Sequence, residues 1–247
     1  MHKTSSFMLL LSLLVLTACA AKTAAPDKGA GDYFQEGEAF FAEGNYKEAV
    51  TSWEKVRESY LSPELNTLTE LKIAEAHFLN KEYVEAAITY EAFLKNHPDH
   101  ARMPDVLYHL GLSYMYQILN PDQDQTSTVA ALNAFTSLRE RFPDDRRMQE
   151  VNLYINRCKN QLADSELNIA RFYLRTDYYS PAINRIDSLL KSYPLYYKRD
   201  EAYFYLGKAY LLNGEKDKAE AALNTLINDY VSSEFVTDAR QLIQKNN

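Results

Sequence analysis

Small residues recur along this chain at fixed distances from bulky ones. Gly37, Ala74, Gly111, Ala170 and Gly207 each stand three residues before a larger ring: Phe40, His77, Tyr114, Tyr173 and Tyr210. A second small residue follows in each unit, at Ala49, Ala86, Ala131, Ala182 and Ala219. Four residues beyond it comes a bulky one: Trp53, Tyr90, Phe135, Ile186 and Leu223. Spacings of three and four put residues on one face of a helix. Two helices approach closely only where small side chains meet, and a bulky side chain on the partner fills the adjoining hole. Pro98, Pro143 and Pro194 each lie twelve residues past the second small residue, where a proline ends a helix and starts a turn. The pattern predicts helical pairs in five successive copies.

Local end signals agree. Ser62-Pro63-Glu64 and Ser180-Pro181-Ala182 read as a capping serine before a first-turn proline. Glu43–Tyr46 and Asn213–Lys216 carry the glycine that closes a helix. Ser232–Lys245 reads as a final helix over the last open face. The first small residues are 37, 37, 59 and 37 apart. The long interval holds Val151, Ile155, Cys158 and Leu162 in one apolar stripe, and no Gly or Pro occurs from Asp144 to Ser180, so one extended helix is expected near Gln149–Arg175. Asn120–Thr128 reads as a solvated loop between the helices of the third unit. The repeats resemble the tetratricopeptide repeat, whose unit is about 34 residues. The expected fold is all-α: an α-solenoid of about five such pairs with a C-terminal capping helix.

Before the repeats the pattern differs. Phe7–Ala18 is an apolar run of twelve residues behind Lys3, too short to span a bilayer, which takes about 20 residues. It ends on Leu16-Thr17-Ala18-Cys19, which resembles the bacterial lipobox. Residues 1–18 are therefore expected to be a signal peptide and Cys19 the acylated first residue, carrying S-diacylglycerol and an N-acyl chain. Ala20 after it favours the outer membrane, by resemblance to enteric sorting rules. Residues 19–31 form a lipidated start and flexible tether, 32–145 hold repeats one to three, and 146–247 hold repeats four and five with the long helix and the cap. A net charge of −7 argues against a nucleic-acid partner, which needs a basic surface. Once Cys19 is lipidated, Cys158 alone remains, so no internal disulfide is expected and the thiol reads as a small core residue.

No catalytic motif stands out. There is no glycine-rich phosphate loop, CxxC or GxSxG. His97-Pro98-Asp99-His100 sits where a repeat ends, so neither a metal site nor a cofactor is expected and the chain reads as a binder rather than an enzyme. In solenoids of this type the first helix of each pair lines the inner face. The residues three before and four after each first small residue are Phe34 and Phe41, Leu71 and Phe78, Tyr108 and Met115, Leu167 and Leu174, Phe204 and Leu211. All ten are apolar. They mark either repeat-to-repeat packing or an apolar groove for an extended or helical peptide.

The stretches 122–145 (DQDQTSTVAALNAFTSLRERFPDD) and 156–194 (NRCKNQLADSELNIARFYLRTDYYSPAINRIDSLLKSYP), taken with the lipobox, resemble the BamD family, the lipoprotein subunit of the outer-membrane β-barrel assembly machinery. The resemblance implies a lipid-anchored protein facing the periplasm of a Gram-negative bacterium. Its N-terminal repeats would receive C-terminal targeting signals of unfolded outer-membrane proteins, with Phe34, Phe41, Leu71, Phe78, Tyr108 and Met115 as groove residues. Its C-terminal repeats would dock on the periplasmic domains of BamA, alongside the other lipoproteins of the complex, with Asn184 and Arg185 in the matching region. Arg185 has a second reading, a helix-packing residue paired with Glu166. The alternative function is a pilotin-like or scaffold adaptor of another envelope assembly.

Overall fold

The computed structural model describes residues 28–59 and 62–246. Its elements are α1 (Ala30–Ala42), α2 (Tyr46–Glu58), α3 (Pro63–Leu79), α4 (Tyr83–Asn96), α5 (Met103–Met115), α6 (Thr126–Arg141), α7 (Met148–Arg175), α8 (Tyr179–Ser192), α9 (Arg199–Leu212), α10 (Lys216–Asp229) and α11 (Val236–Asn246). Among the described residues there is no strand. Each helix packs chiefly on its neighbours in the chain, which is the order of a solenoid of helical pairs closed by α11.

The small-to-bulky pairing is what brings each pair together. A methyl placed on Gly111 would lie 2.6 Å from the Phe135 ring, and one on Gly207 would lie 2.5 Å from Leu223. One on Gly37 would overlap the Trp53 indole. Trp53, Phe135 and Leu223 are fully buried, so α1/α2, α5/α6 and α9/α10 each close on a ring or branched chain filling a glycine notch. Gly44 and Gly214 adopt φ of +80° and +81° in the turns after α1 and α9, a backbone region glycine enters without steric cost.

Helix starts follow the end signals in part. Ser62 Oγ accepts the Leu65 amide at 3.3 Å and Pro63 opens α3, as its sequence predicts. Ser180 does not cap: α8 begins one residue earlier, at Tyr179, and the Ser180 hydroxyl instead donates to Asn213 Oδ1 at 3.3 Å. α11 starts at Val236 rather than at Ser232; Ser233 Oγ accepts the Phe235 amide and donates to Asp200 at 2.6 Å. α1 starts at Ala30, two residues inside the expected tether, with the Gly29 amide donating to Asp32 Oδ2 at 2.9 Å.

The long helix α7 has 28 residues, about 42 Å at 1.5 Å per residue. Val151, Ile155 and Cys158 lie in the core of repeats two and three, whereas Ala163, Leu167, Ala170 and Leu174 lie in the core of repeats four and five. The change from one core to the other thus occurs within α7, the helix that links the two sets of repeats. Leu162, assigned to the buried stripe, is only half-buried. Cys158 is fully buried, its thiol 3.4 Å from Met115 Sδ, and burial pushes that thiol up to about 11. It stays protonated and unreactive, as its core position predicts.

Candidate protein-binding surface

The first helices of the pairs carry the six expected groove residues, and the structure sorts them. Leu71 is 3% exposed and offers nothing to a ligand; its assignment to a groove is corrected to core packing. Phe34, Phe41, Phe78, Tyr108 and Met115 are half-buried, each at a seam between elements. The Phe41 ring meets Tyr46 edge-on at 5.4 Å and Trp53 at 5.6 Å. Lys72, from the next repeat, holds its ammonium 5.1 Å from that ring and 3.0 Å from Glu38. Trp53 Nε1 donates to the Phe34 carbonyl at 3.3 Å. Phe78 meets His109 of α5 edge-on at 5.1 Å. Arg147 lies 4.6 Å above the Tyr108 ring, and the Tyr108 hydroxyl donates to Glu150 at 2.9 Å. Burial and that carboxylate both raise the Tyr108 phenol.

The open surface of these helices runs one residue further on. The residues five past each first small residue are Ala42, Leu79, Tyr116, Arg175 and Leu212, and all are exposed. Tyr116 is 60% exposed and stacks on Tyr83 at 4.5 Å; Leu79 is 43% exposed beside Phe78. A helix turns 100° per residue, so one step converts a seam position into an open one. The sequence contained this signal, since Leu79, Tyr116 and Leu212 recur in phase, but nothing local distinguishes the two registers.

In the fourth repeat, Asn184 is exposed. Arg185 donates to Glu166 Oε2 at 2.5 Å, so it lies in an ion pair with the long helix, and the hydrogen bond it gives to that carboxylate raises the guanidinium further. A hub that the sequence reading missed lies nearby. Asp164 accepts from the Tyr196 hydroxyl at 2.6 Å, the Tyr197 hydroxyl at 3.0 Å and the Lys198 ammonium at 2.7 Å, fastening the α8–α9 turn to α7. The partners are 32 to 34 residues apart, beyond any local spacing rule.

No group of three or more His, Cys, Asp or Glu side chains able to hold a metal occurs among the described residues. His97 instead pairs with Glu70 at 3.0 Å and His77 with Glu82 at 2.8 Å. No helix among the described residues is long and apolar enough to cross a membrane. Cys19 and residues 1–18 lie outside the described residues.

A family model described as YfiO, outer membrane lipoprotein, matches residues 26–224. The chain belongs to the YfiO/BamD family. The outer membrane protein assembly factor BamD of Rickettsia prowazekii is 28% identical over 238 residues, covering 96% of this chain and 95% of that protein. A putative BamD of Aquifex aeolicus is 31% identical over 216 residues, covering 86% of this chain and 70% of its own length. BamD of Vibrio cholerae is 28% identical over 203 residues, covering 78% and 84%. The family match spans α1 through most of α10, so both cores and the α7 strut between them fall within it.

Proposed function

We propose that this chain is a non-enzymatic, lipid-anchored subunit of the outer-membrane β-barrel assembly complex, facing the periplasm. What carries the reading is the match to the family over residues 26–224, through relatives named as outer membrane protein assembly factors. Acyl chains on Cys19 hold it to the membrane. The N-terminal repeats take the C-terminal signals of unfolded outer-membrane proteins. The half-open edges of Phe34, Phe41, Phe78, Tyr108 and Met115 and the exposed Leu79 and Tyr116 supply the apolar contacts. An extended client with alternating apolar side chains suits such a row, since every second residue of a strand faces the same side. The C-terminal repeats dock on BamA through the surface around Asn184 and Arg185.

Extraction in mild detergent followed by affinity capture of the full chain tests this directly. BamA and the other lipoproteins of that complex should come down with it. Capture of a secretin in place of BamA would assign the chain to the pilotin-like class instead.

A further inference from the structure

The α8–α9 turn holds the most exposed large apolar side chain among the described residues, Leu195, at 82%. It is not a loose loop. Asp164 ties down the Tyr196, Tyr197 and Lys198 side chains, and the Tyr196 amide donates to the Tyr193 carbonyl at 3.1 Å. The turn is thus held rigidly against α7, and a cleft of about 60 Å³ lies between Tyr193, Pro194, Leu195 and Tyr196 on one side and Asn156, Lys159 and Asn160 on the other. One helical turn before Asn156 and Arg157, Leu153 extends the same α7 face and is 64% exposed. Leu153 and Leu195 thus leave apolar surface open on a rigid support beside the cleft.

The charges around the cleft say what. The chain as a whole is acidic, at −7. Yet Arg157, Lys159 and Lys191 are exposed, and none has a carboxylate within ion-pair distance among the described residues. Two nearby carboxylates are already paired with cations, Asp164 with Lys198 and Glu166 with Arg185. We infer that this face is a docking site for an extended acidic polypeptide segment bearing a bulky apolar side chain. That side chain enters the cleft against Pro194 and Leu195. The amides of Asn156 and Asn160 pair with the segment's backbone, and the three free cations face its carboxylates. Complementary charge of this sort steers the encounter and sets the register. A concave cleft edged with two carboxamides fits a peptide better than the flat face of a lipid surface. The inference does not rest on the Arg185 pair.

The test uses the processed full chain in neutral detergent and a fluorescein-labelled peptide alternating glutamate and leucine, with a lysine-for-glutamate counterpart as control, read by fluorescence anisotropy. The acidic peptide should bind, more weakly as salt is added, and the basic one should not. Leu195→Asp should weaken binding at least ~10-fold, the order expected for losing one buried leucine contact. Lys159→Glu should weaken it as well. Both positions are exposed, so circular dichroism should be unchanged. Arg185→Glu should leave peptide binding intact, which separates this site from BamA docking. Equal binding by the Leu195→Asp protein, equal binding of both peptides, or no binding of the acidic peptide overturns the inference. So does a dimer in sedimentation that Leu195→Asp dissolves, which would put a second copy on this face. A Leu195→Trp emission shift that appears only when phosphatidylglycerol is added to proteoliposomes would put lipid there and overturn it too.

Discussion

Exchanging the charges of Arg185 and Glu166 separates a docking arginine from a scaffold one. In the structure these side chains are joined, and each is about one-third exposed, at 34% and 35%. An ion pair so open to solvent contributes ~0.2–1 kcal/mol. Arg185→Glu removes it and sets two carboxylates side by side. Both can rotate toward water, so the combined loss should stay near ~1–2 kcal/mol. For a chain of this length that lowers the melting temperature by roughly 2–8 °C. Loss of one member of a charge pair buried across an interface costs ~2–5 kcal/mol, or roughly 30- to several-thousand-fold in affinity. The double variant Arg185→Glu/Glu166→Arg rebuilds the internal pair with its polarity reversed and should melt within ~0.5 kcal/mol of the parent. Docking through Arg185 predicts that BamA capture fails in the single variant and still fails in the double one, because BamA now meets a carboxylate. Capture restored by the double variant would show that Arg185 acts only through Glu166, and capture unaffected by Arg185→Glu would remove it from the interface altogether.

Other perturbations probe the packing and the open row. Gly111→Ala sets a methyl against the buried Phe135 ring, an overpacking cost of ~1–3 kcal/mol that exceeds the ~0.5–1 kcal/mol helix gain. Thermal melts should show a loss that shrinks in a Phe135→Leu background, whereas Gly31→Ala, with nothing within 4 Å, should be neutral or stabilising; a stable Gly111→Ala would mean the ring has room. Tyr116→Glu should weaken client-signal binding with a stability cost of about 1 kcal/mol for the lost Tyr83 stack, whereas Leu71→Ala should cost ~2–5 kcal/mol of stability, as titration and melting would show. Undiminished client binding by Tyr116→Glu would argue against the open row as the binding face. Hydrogen bonds from Arg147 hold the Asp145 carboxyl at about 2, against the burial that raises it. Its pair therefore contributes fully above the unfolded-chain value of about 3.9 and is lost as pH falls toward 2. Asp145→Asn should flatten the acid limb of a stability–pH curve over that window, and an unchanged limb would rule the pair out as its cause.

The repeat itself was legible in the residues. Gly37 with Trp53, Gly111 with Phe135 and Gly207 with Leu223 declare close helix approaches, because a notch and its filler must match in size whatever surrounds them. Gly44 and Gly214 mark turns because positive φ is a property of the local backbone. α7 showed itself by an unbroken apolar period. The family was visible too, in stretches long enough to carry its pattern. What the sequence left open depends on residues far apart meeting. Met115 closes α5 half-buried and Tyr116, the next residue, stands open, since a single residue's 100° turn decides which side the next repeat covers. Arg185 offered two roles until the packing of α8 on α7 brought it to Glu166. Ser180 looked like a cap, but Asn213 of the following pair lies within reach of its hydroxyl. The Asp164 hub, and the rigid apolar turn it supports, unite side chains more than thirty positions apart. Periodicity reports which face of a helix is buried; only the stacking of one pair on the next determines what that face meets and what remains for a partner.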